Sequence, residues 1–197
     1  VYGFVYLPGS GLKGMAKAYA TTVVSAAPEE IEAVFGTIRT SGAIVFHDAW
    51  PSAWPRLAAD IVNNHHPEYY QAQEGDNEHA PGDWENPIPN YFLVVERGTT
   101  FRFAVGKRKD DVEDRWLQLA REWLLGALCH LGAGAKTNSG YGSFEPVDEP
   151  RPALPSERHA TFETTLELVT PAFLAGPNQG ADDCDLRPAT LRGLLRW

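Results

Sequence analysis

No apolar run in this chain is long enough to cross a bilayer, so no membrane association is expected. Cysteine is scarce. Cys129 and Cys184 lie in different segments, form no metal-type pair and suit a reducing cytoplasm. No secretory signal opens the chain, and Val1 is not an initiator Met, so a missing N-terminal piece is expected. Positive charge is short: 17 Lys and Arg against 26 Asp and Glu leave a net charge of −9. That balance argues against a free-standing nucleic-acid binder. A nucleotide-binding P-loop is also lacking. Its Lys must follow Gly, whereas Ala135 precedes Lys136, and the loop here follows a helix instead of opening one.

The charge that is present is unevenly placed. Asp60, Glu68, Glu74, Asp76, Glu78, Asp83 and Glu85 load one middle segment. Lys13 and Lys17 stand near the start, and Arg97, Arg102, Lys107, Arg108, Lys109 and Lys136 crowd a later region. An acidic protein can still present one basic groove, and a small subunit of a larger complex needs only that. A length of 197 residues with ordinary apolar content predicts one or two folded domains.

Periodicity places the elements. Residues 1–7 predict a short strand, broken by Pro8-Gly9-Ser10-Gly11. Leu12, Met15, Ala16, Tyr19, Ala20 and Val23 then recur at helical spacing, with Ser10 as the expected N-cap. Pro28 opens a short helix ending near Phe35-Gly36, and residues 43–49 predict a strand. Residues 74–87 read as an acidic surface loop, and 90–96 with 100–105 as a β-hairpin around Arg97-Gly98-Thr99. Apolar residues from Val112 to Leu131 recur at helical spacing, with Asp110 or Asp111 as cap and Gly132 as stop. Residues 141–147 predict a closing strand. The order is that of an α+β sandwich.

The chemistry concentrates in two loops. Gly132, Gly134, Gly140 and Gly142 surround Lys136, Thr137, Asn138 and Ser139. Glycine permits positive φ and close approach of a ligand to the backbone, and Lys with hydroxyl and amide donors suits phosphate oxygens. The plain alternative is a long turn. At the other loop, a helix beginning after Gly and Ser is a ready anion site that Lys13 would strengthen. The plain alternative there is a capped surface helix with two solvated lysines. His47-Asp48 and His65-His66 suggest metal or acid–base chemistry, but a dipeptide is weak support. In a strand, His47 and Asp48 would point to opposite faces. Trp50, Trp54 and Trp84 are expected to pack in a core, or else to serve protein contacts.

Residues 146–159 carry four prolines and several charges and read as a linker, which sets expected domains at 1–147 and 161–197 with 148–160 between them. The second segment predicts a strand at 161–169 and part of a helix from Arg187. That is too little to bury a core, so it is expected to be an incomplete module.

Pro8-Gly9-Ser10-Gly11-Leu12-Lys13-Gly14 resembles the Pro-Gly-Ser-Ser-Leu-Lys-Gly segment of the RAMP proteins of type III CRISPR effectors, with Gly11 in place of the second Ser. Gly42 through Pro51 is similar to their next block. His65-His66, Tyr69-Tyr70 and Phe92-Leu93 resemble the sixth Cmr subunit family, and Gly132 to Phe144 its Gly-rich loop. Residues 170–176 and 187–197 resemble instead the opening of first Cmr subunits. The resemblance implies a ferredoxin-like, RRM-like RAMP domain with insertions, lacking its first strand, followed by an incomplete second RAMP module. It implies a non-catalytic subunit of a type III-B complex that holds crRNA and target RNA beside other Cmr-type subunits. The residues expected at RNA are Ser10, Gly11, Lys13, Lys17, Lys136, Thr137, Asn138, Ser139 and Tyr141, with Arg187 and Arg192 of the second module. No catalytic residue, metal or cofactor is expected. A metal-dependent endoribonuclease and a purely structural subunit are the alternatives.

Overall fold

The computed structural model describes residues 3–64, 66–72, 82 and 84–155. They divide into two units, residues 3–53 with 100–155 and residues 54–99. Both helices and strands are present, as the periodicity predicts.

In the first unit, α1 (Gly9–Tyr19) presents Leu12, Ala16 and Tyr19 as its buried stripe. It runs on as a π-helical turn, Ala20–Val24. There the Thr21 and Thr22 hydroxyls donate back to the Lys17 and Ala18 carbonyls at 2.8 and 2.7 Å, competing with the regular ladder. Ser25 ends the turn in the left-handed region, at φ +56°. The second helix, α2 (Pro28–Phe35), has Pro at its first position and buries Val34 and Phe35. The long helix α4 (Asp114–His130) buries Ala120, Trp123, Leu124, Ala127 and Leu128 against both. Phe35 stacks on Trp123 and on Phe46, each at 5.7 Å.

The strands of this unit are short. β1 (Ile44–Phe46) pairs antiparallel with β6 (Val105–Lys107), and β2 (Trp50–Pro51) with β5 (Phe101–Arg102). Between the Phe46–Val105 and Trp50–Arg102 pairs stand three residues on one side, 47–49, and two on the other, 103–104. One extra residue makes a β-bulge, which re-aims a side chain at that point. The bulge keeps the alternation in phase. Ile44 and Ala49 are buried and Phe46 packs on the core, so Val45, His47 and Trp50 take the opposite face.

The second unit is a ribbon. β3 (Leu57–Asn64) pairs antiparallel with β4 (Ile88–Val95) along all eight residues, and α3 (Pro67–Gln71) follows β3.

Several expectations are corrected. No strand forms at the start among the described residues: only Leu7 bridges Ala49, through hydrogen bonds of 2.9 and 2.8 Å. The hairpin of 90–96 with 100–105 does not form. β4 finds its partner in β3, and β5 and β6 pair with β2 and β1. A local pattern cannot show such long-range choices. Ser10 is not a cap, because the helix begins one residue earlier with Pro8 in the cap position. Glu113, not Asp110 or Asp111, precedes α4. Residues 141–147 form no strand, since their backbone groups are used by the Gly-rich loop and by α4: the Phe144 amide donates to the Leu128 carbonyl at 3.2 Å. The tryptophans expected in a core are exposed, Trp54 at 76% and Trp84 at 83%. Most of the acidic loop 74–87, and all of the expected second module 161–197, lie outside the described residues.

Candidate nucleic-acid interface

The α1 N-terminus is built by contact with β1. A Cβ at Gly9 would overlap the Phe46 carbonyl, so only glycine lets the helix start this close to the strand. Pro8 carries no capping side chain. The cap comes instead from the bulge, where Asp48 Oδ1 accepts the Gly9 amide hydrogen at 2.7 Å. A carboxylate here satisfies one orphan donor and opposes the positive end of the helix dipole. The Leu12 amide donates to the Pro8 carbonyl at 3.0 Å. Ser10 and Gly11 are exposed, and their amides meet no protein acceptor among the described residues. Lys13 follows on the same turn, half-buried, and Lys17 one turn later, exposed. Neither forms an ion pair among the described residues.

The Gly-rich loop is closed at its neck. The Ala133 amide donates to the Gly142 carbonyl at 2.8 Å, and a Cβ at Gly142 would strike the Ala133 carbonyl. Gly132, at φ +75°, ends α4 by donating to the Ala127 carbonyl at 3.0 Å. At the tip, Thr137–Ser139 form one 3-10 turn. The Lys136 carbonyl accepts from the Ser139 and Tyr141 amides at 2.8 and 3.3 Å. Lys136 itself sits at φ +61°, one of two non-glycine residues in the left-handed region among those described. That conformation costs a side-chain-bearing residue about 1 kcal/mol or more, and such strain is often kept at functional positions. Lys136 and Asn138 are exposed, and Thr137, Ser139 and Tyr141 half-buried.

The fold brings the parent helices together. The Tyr19 ring lies on Gly126 of α4, where no Cβ would fit, and stacks with His130 at 6.1 Å. Burial pushes the Tyr19 phenol up from its ordinary value, with Cys129 adding to the shift. Burial likewise pushes the Cys129 thiol up, against the pull of Arg151. Residues 149–154 lie along α4. The Glu149 carboxylate takes two hydrogen bonds from Arg121, Arg151 donates to the Cys129 carbonyl, and His130 Nε2 lies 2.8 Å from the Pro152 carbonyl.

Some of the later basic residues are engaged within the fold. Lys107 is held by Asp114 at 2.6 Å, and that contact lowers the Asp114 pKa. Arg108 Nε donates to the Gly42 carbonyl at 2.8 Å. Arg97 belongs to the other unit. Arg187 and Arg192 lie outside the described residues. His47 and Asp48 stand just beyond β1, at the bulge, and not inside a strand. His66 lies 3.2 Å from Glu85 in the second unit, and His65 is outside the described residues. The capping role of Asp48 was not readable from the sequence, because its partner is 39 residues away.

The model of the RAMP superfamily matches residues 1–145, and the chain belongs to that family. The Cmr subunit Cmr6 of the CRISPR system of Pyrococcus furiosus is 41% identical over 119 residues, which are 58% of this chain. The chain spans about a third of that relative's length, 34%. Among solved structures, a chain from the type III-B Cmr-beta complex bound to cognate target RNA matches with a TM-score of 0.52 and 22% identity. The match covers 71% of this chain and 44% of that one, and it shows a shared fold. Crystalline Cmr6 from Pyrococcus furiosus matches at 28% identity and a TM-score of 0.48, over 72% of this chain and 82% of that one. Among the described residues no helix is long and apolar enough to cross a membrane.

Proposed function

We propose that this RAMP-superfamily chain is a non-catalytic RNA-binding subunit of a type III-B CRISPR effector complex in the cytoplasm. The observation that carries the reading is the Gly-rich loop: its neck is locked at Ala133 and Gly142, and its tip holds a lysine in a strained left-handed conformation. Glycine is the usual occupant of such a position, and a lysine there suits a role toward a ligand. Similarity to Cmr6 supports membership of a Cmr complex, and this reading assigns crRNA, target RNA and other Cmr-type subunits as its partners. On this reading residues 1–147 are a ferredoxin-like RAMP domain with insertions, and residues 149–154 stay packed along its α4. Residues 148–160 link it to the start of a first-subunit-like module, whose Arg187 and Arg192 this reading also assigns to RNA binding.

Contacts from Ser10, Gly11, Lys13, Lys17 and the segment from Lys136 to Tyr141 are to phosphates, so affinity depends on salt and little on sequence. A nuclease role for Asp48 is disfavoured because its carboxylate is engaged with Gly9. The test is filter binding of the assembled complex over a salt series, with Lys13→Ala and Lys136→Ala variants. A flat salt response, or unchanged RNA retention in both variants, would reject the reading.

A further inference from the structure

The strands beside the α1 N-terminus leave one face turned away from the core. Leu7 bridges Ala49 antiparallel, so Tyr6 stands opposite Trp50. Trp50 in turn stands opposite Arg102. Residues opposite one another in an antiparallel pair share a face. Ala49 is buried and Phe101 and Phe103 point to Phe144, so the row Tyr6, Trp50, Arg102 lies on the outer side. The Tyr6 and Trp50 rings stack at 5.1 Å with 17° between planes, yet Trp50 remains 49% exposed. Arg102 is exposed and forms no ion pair among the described residues. It does not cover the indole either, since the cation–π contact found among those residues is Arg115 on Trp116. The next row holds His47 opposite the short Ala104, with Gly106 beyond, which keeps the surface low there. The carboxylate nearest in sequence, Asp48, is turned back to Gly9.

We propose that Tyr6, Trp50 and Arg102 form a stacking platform for one or two unpaired bases of single-stranded RNA, with Arg102 meeting the adjoining phosphate. A rigid aromatic pair left half in water is poorly explained by core packing, and every base offers a π-face to it. A cation in the same row, on a chain of net charge −9, complements an anionic strand. A purely apolar protein contact gives Arg102 no role. The proposal rests on the RNA-binding reading and adds a surface distinct from Lys13 of α1 and the Gly-rich loop.

The test uses the full chain and a labelled single-stranded oligoribonucleotide at low salt, with the blunt duplex of the same sequence as control, read by fluorescence anisotropy. Trp50→Ala weakens single-strand binding roughly tenfold or more, as expected for one lost base stack, and leaves the duplex nearly unchanged. Trp50→Phe keeps most of the affinity. Arg102→Ala lowers the slope of log affinity against log salt by about 0.7. Thermal melts show whether Trp50→Ala still folds; if it does not, Trp50→Phe and Arg102→Ala decide. Equal binding by all variants, equal loss for strand and duplex, or no single-strand binding by the wild-type chain overturns the platform. So does normal RNA binding with poor incorporation into the complex, which would mark a protein contact. Lysine-loop variants in the assembled complex answer separately for the RNA-binding reading itself.

Discussion

The Asp48 carboxylate caps a helix that begins 39 residues earlier, taking the Gly9 amide hydrogen at 2.7 Å. The bulge at 47–49 makes this reach possible, and glycine at position 9 lets helix and strand approach. Asp48→Ala removes the cap and is expected to cost about 1–2 kcal/mol in chemical denaturation. Asp48→Asn, which keeps an acceptor, retains most of the stability. In a reconstituted complex, Asp48→Ala leaves cleavage chemistry unchanged. A rate loss of about a hundredfold, with assembly and RNA affinity intact, would restore a catalytic role.

The loop neck and tip make opposite demands at Lys136. Glycine at φ +61° is free of the Cβ penalty, so Lys136→Gly is expected to stabilise the fold by up to about 1 kcal/mol. The same change removes a phosphate contact and lowers RNA retention. Lys136→Ala loses the contact without the stability gain. Parallel melting and filter-binding measurements check the pair. Lowered stability with Lys136→Gly would mean that the side chain supports the loop.

α1, α2, α4 and the Gly-rich loop were legible in the sequence because their signals are local, whereas the break expected at 8–11 became the first turn of α1 and the short α3 was not foreseen. The stripe Leu12, Ala16, Tyr19 became the buried face of α1, and Gly132 became the stop of α4. Strand pairing was not legible. β3 and β4 are separated by residues 65–87, and nothing in residues 90–105 betrays that β4 turns away from β5. The Tyr6, Trp50, Arg102 row was missed for the same reason. Its members come from three segments, and only the bulge sets their common face. Trp50 read as core because tryptophan usually is, whereas the alternation fixed by Ala49 turns it outward.

Lys13 lies within α1 and Lys136 in the Gly-rich loop that follows α4, and the two helices pack together at Tyr19 and Gly126. If both hold neighbouring phosphates of one strand, each Lys→Ala change weakens RNA binding by a similar amount, on the order of 1 kcal/mol. The double variant loses both, with coupling where a phosphate is shared. Folding changes little, since neither residue belongs to the apolar stripe. Additive losses with no coupling would assign the lysines to separate phosphates. Unchanged crRNA retention in all three variants would remove both from the interface.

The packing of Tyr19 against Gly126 also predicts the alkaline limit of stability. Burial raises the Tyr19 phenol above its ordinary 10.0 and the Cys129 thiol above 9.0. Both groups therefore hold their protons in the fold at pH values where the unfolded chain releases them. Above those ordinary values the folded state binds more protons, so stability falls as pH rises. Well below pH 9 neither group contributes a slope. Cys129 begins the decline and Tyr19 steepens it above 10. Tyr19→Phe keeps the ring on Gly126 but has no proton to lose. Its melting temperature is expected to stay near wild type at neutral pH and to fall less steeply above pH 10. Gly126→Ala drives a methyl into the ring and lowers stability at every pH, by about 1–3 kcal/mol as for other overpacked core sites. A Tyr19→Phe curve parallel to wild type above pH 10 would place the alkaline loss in other groups.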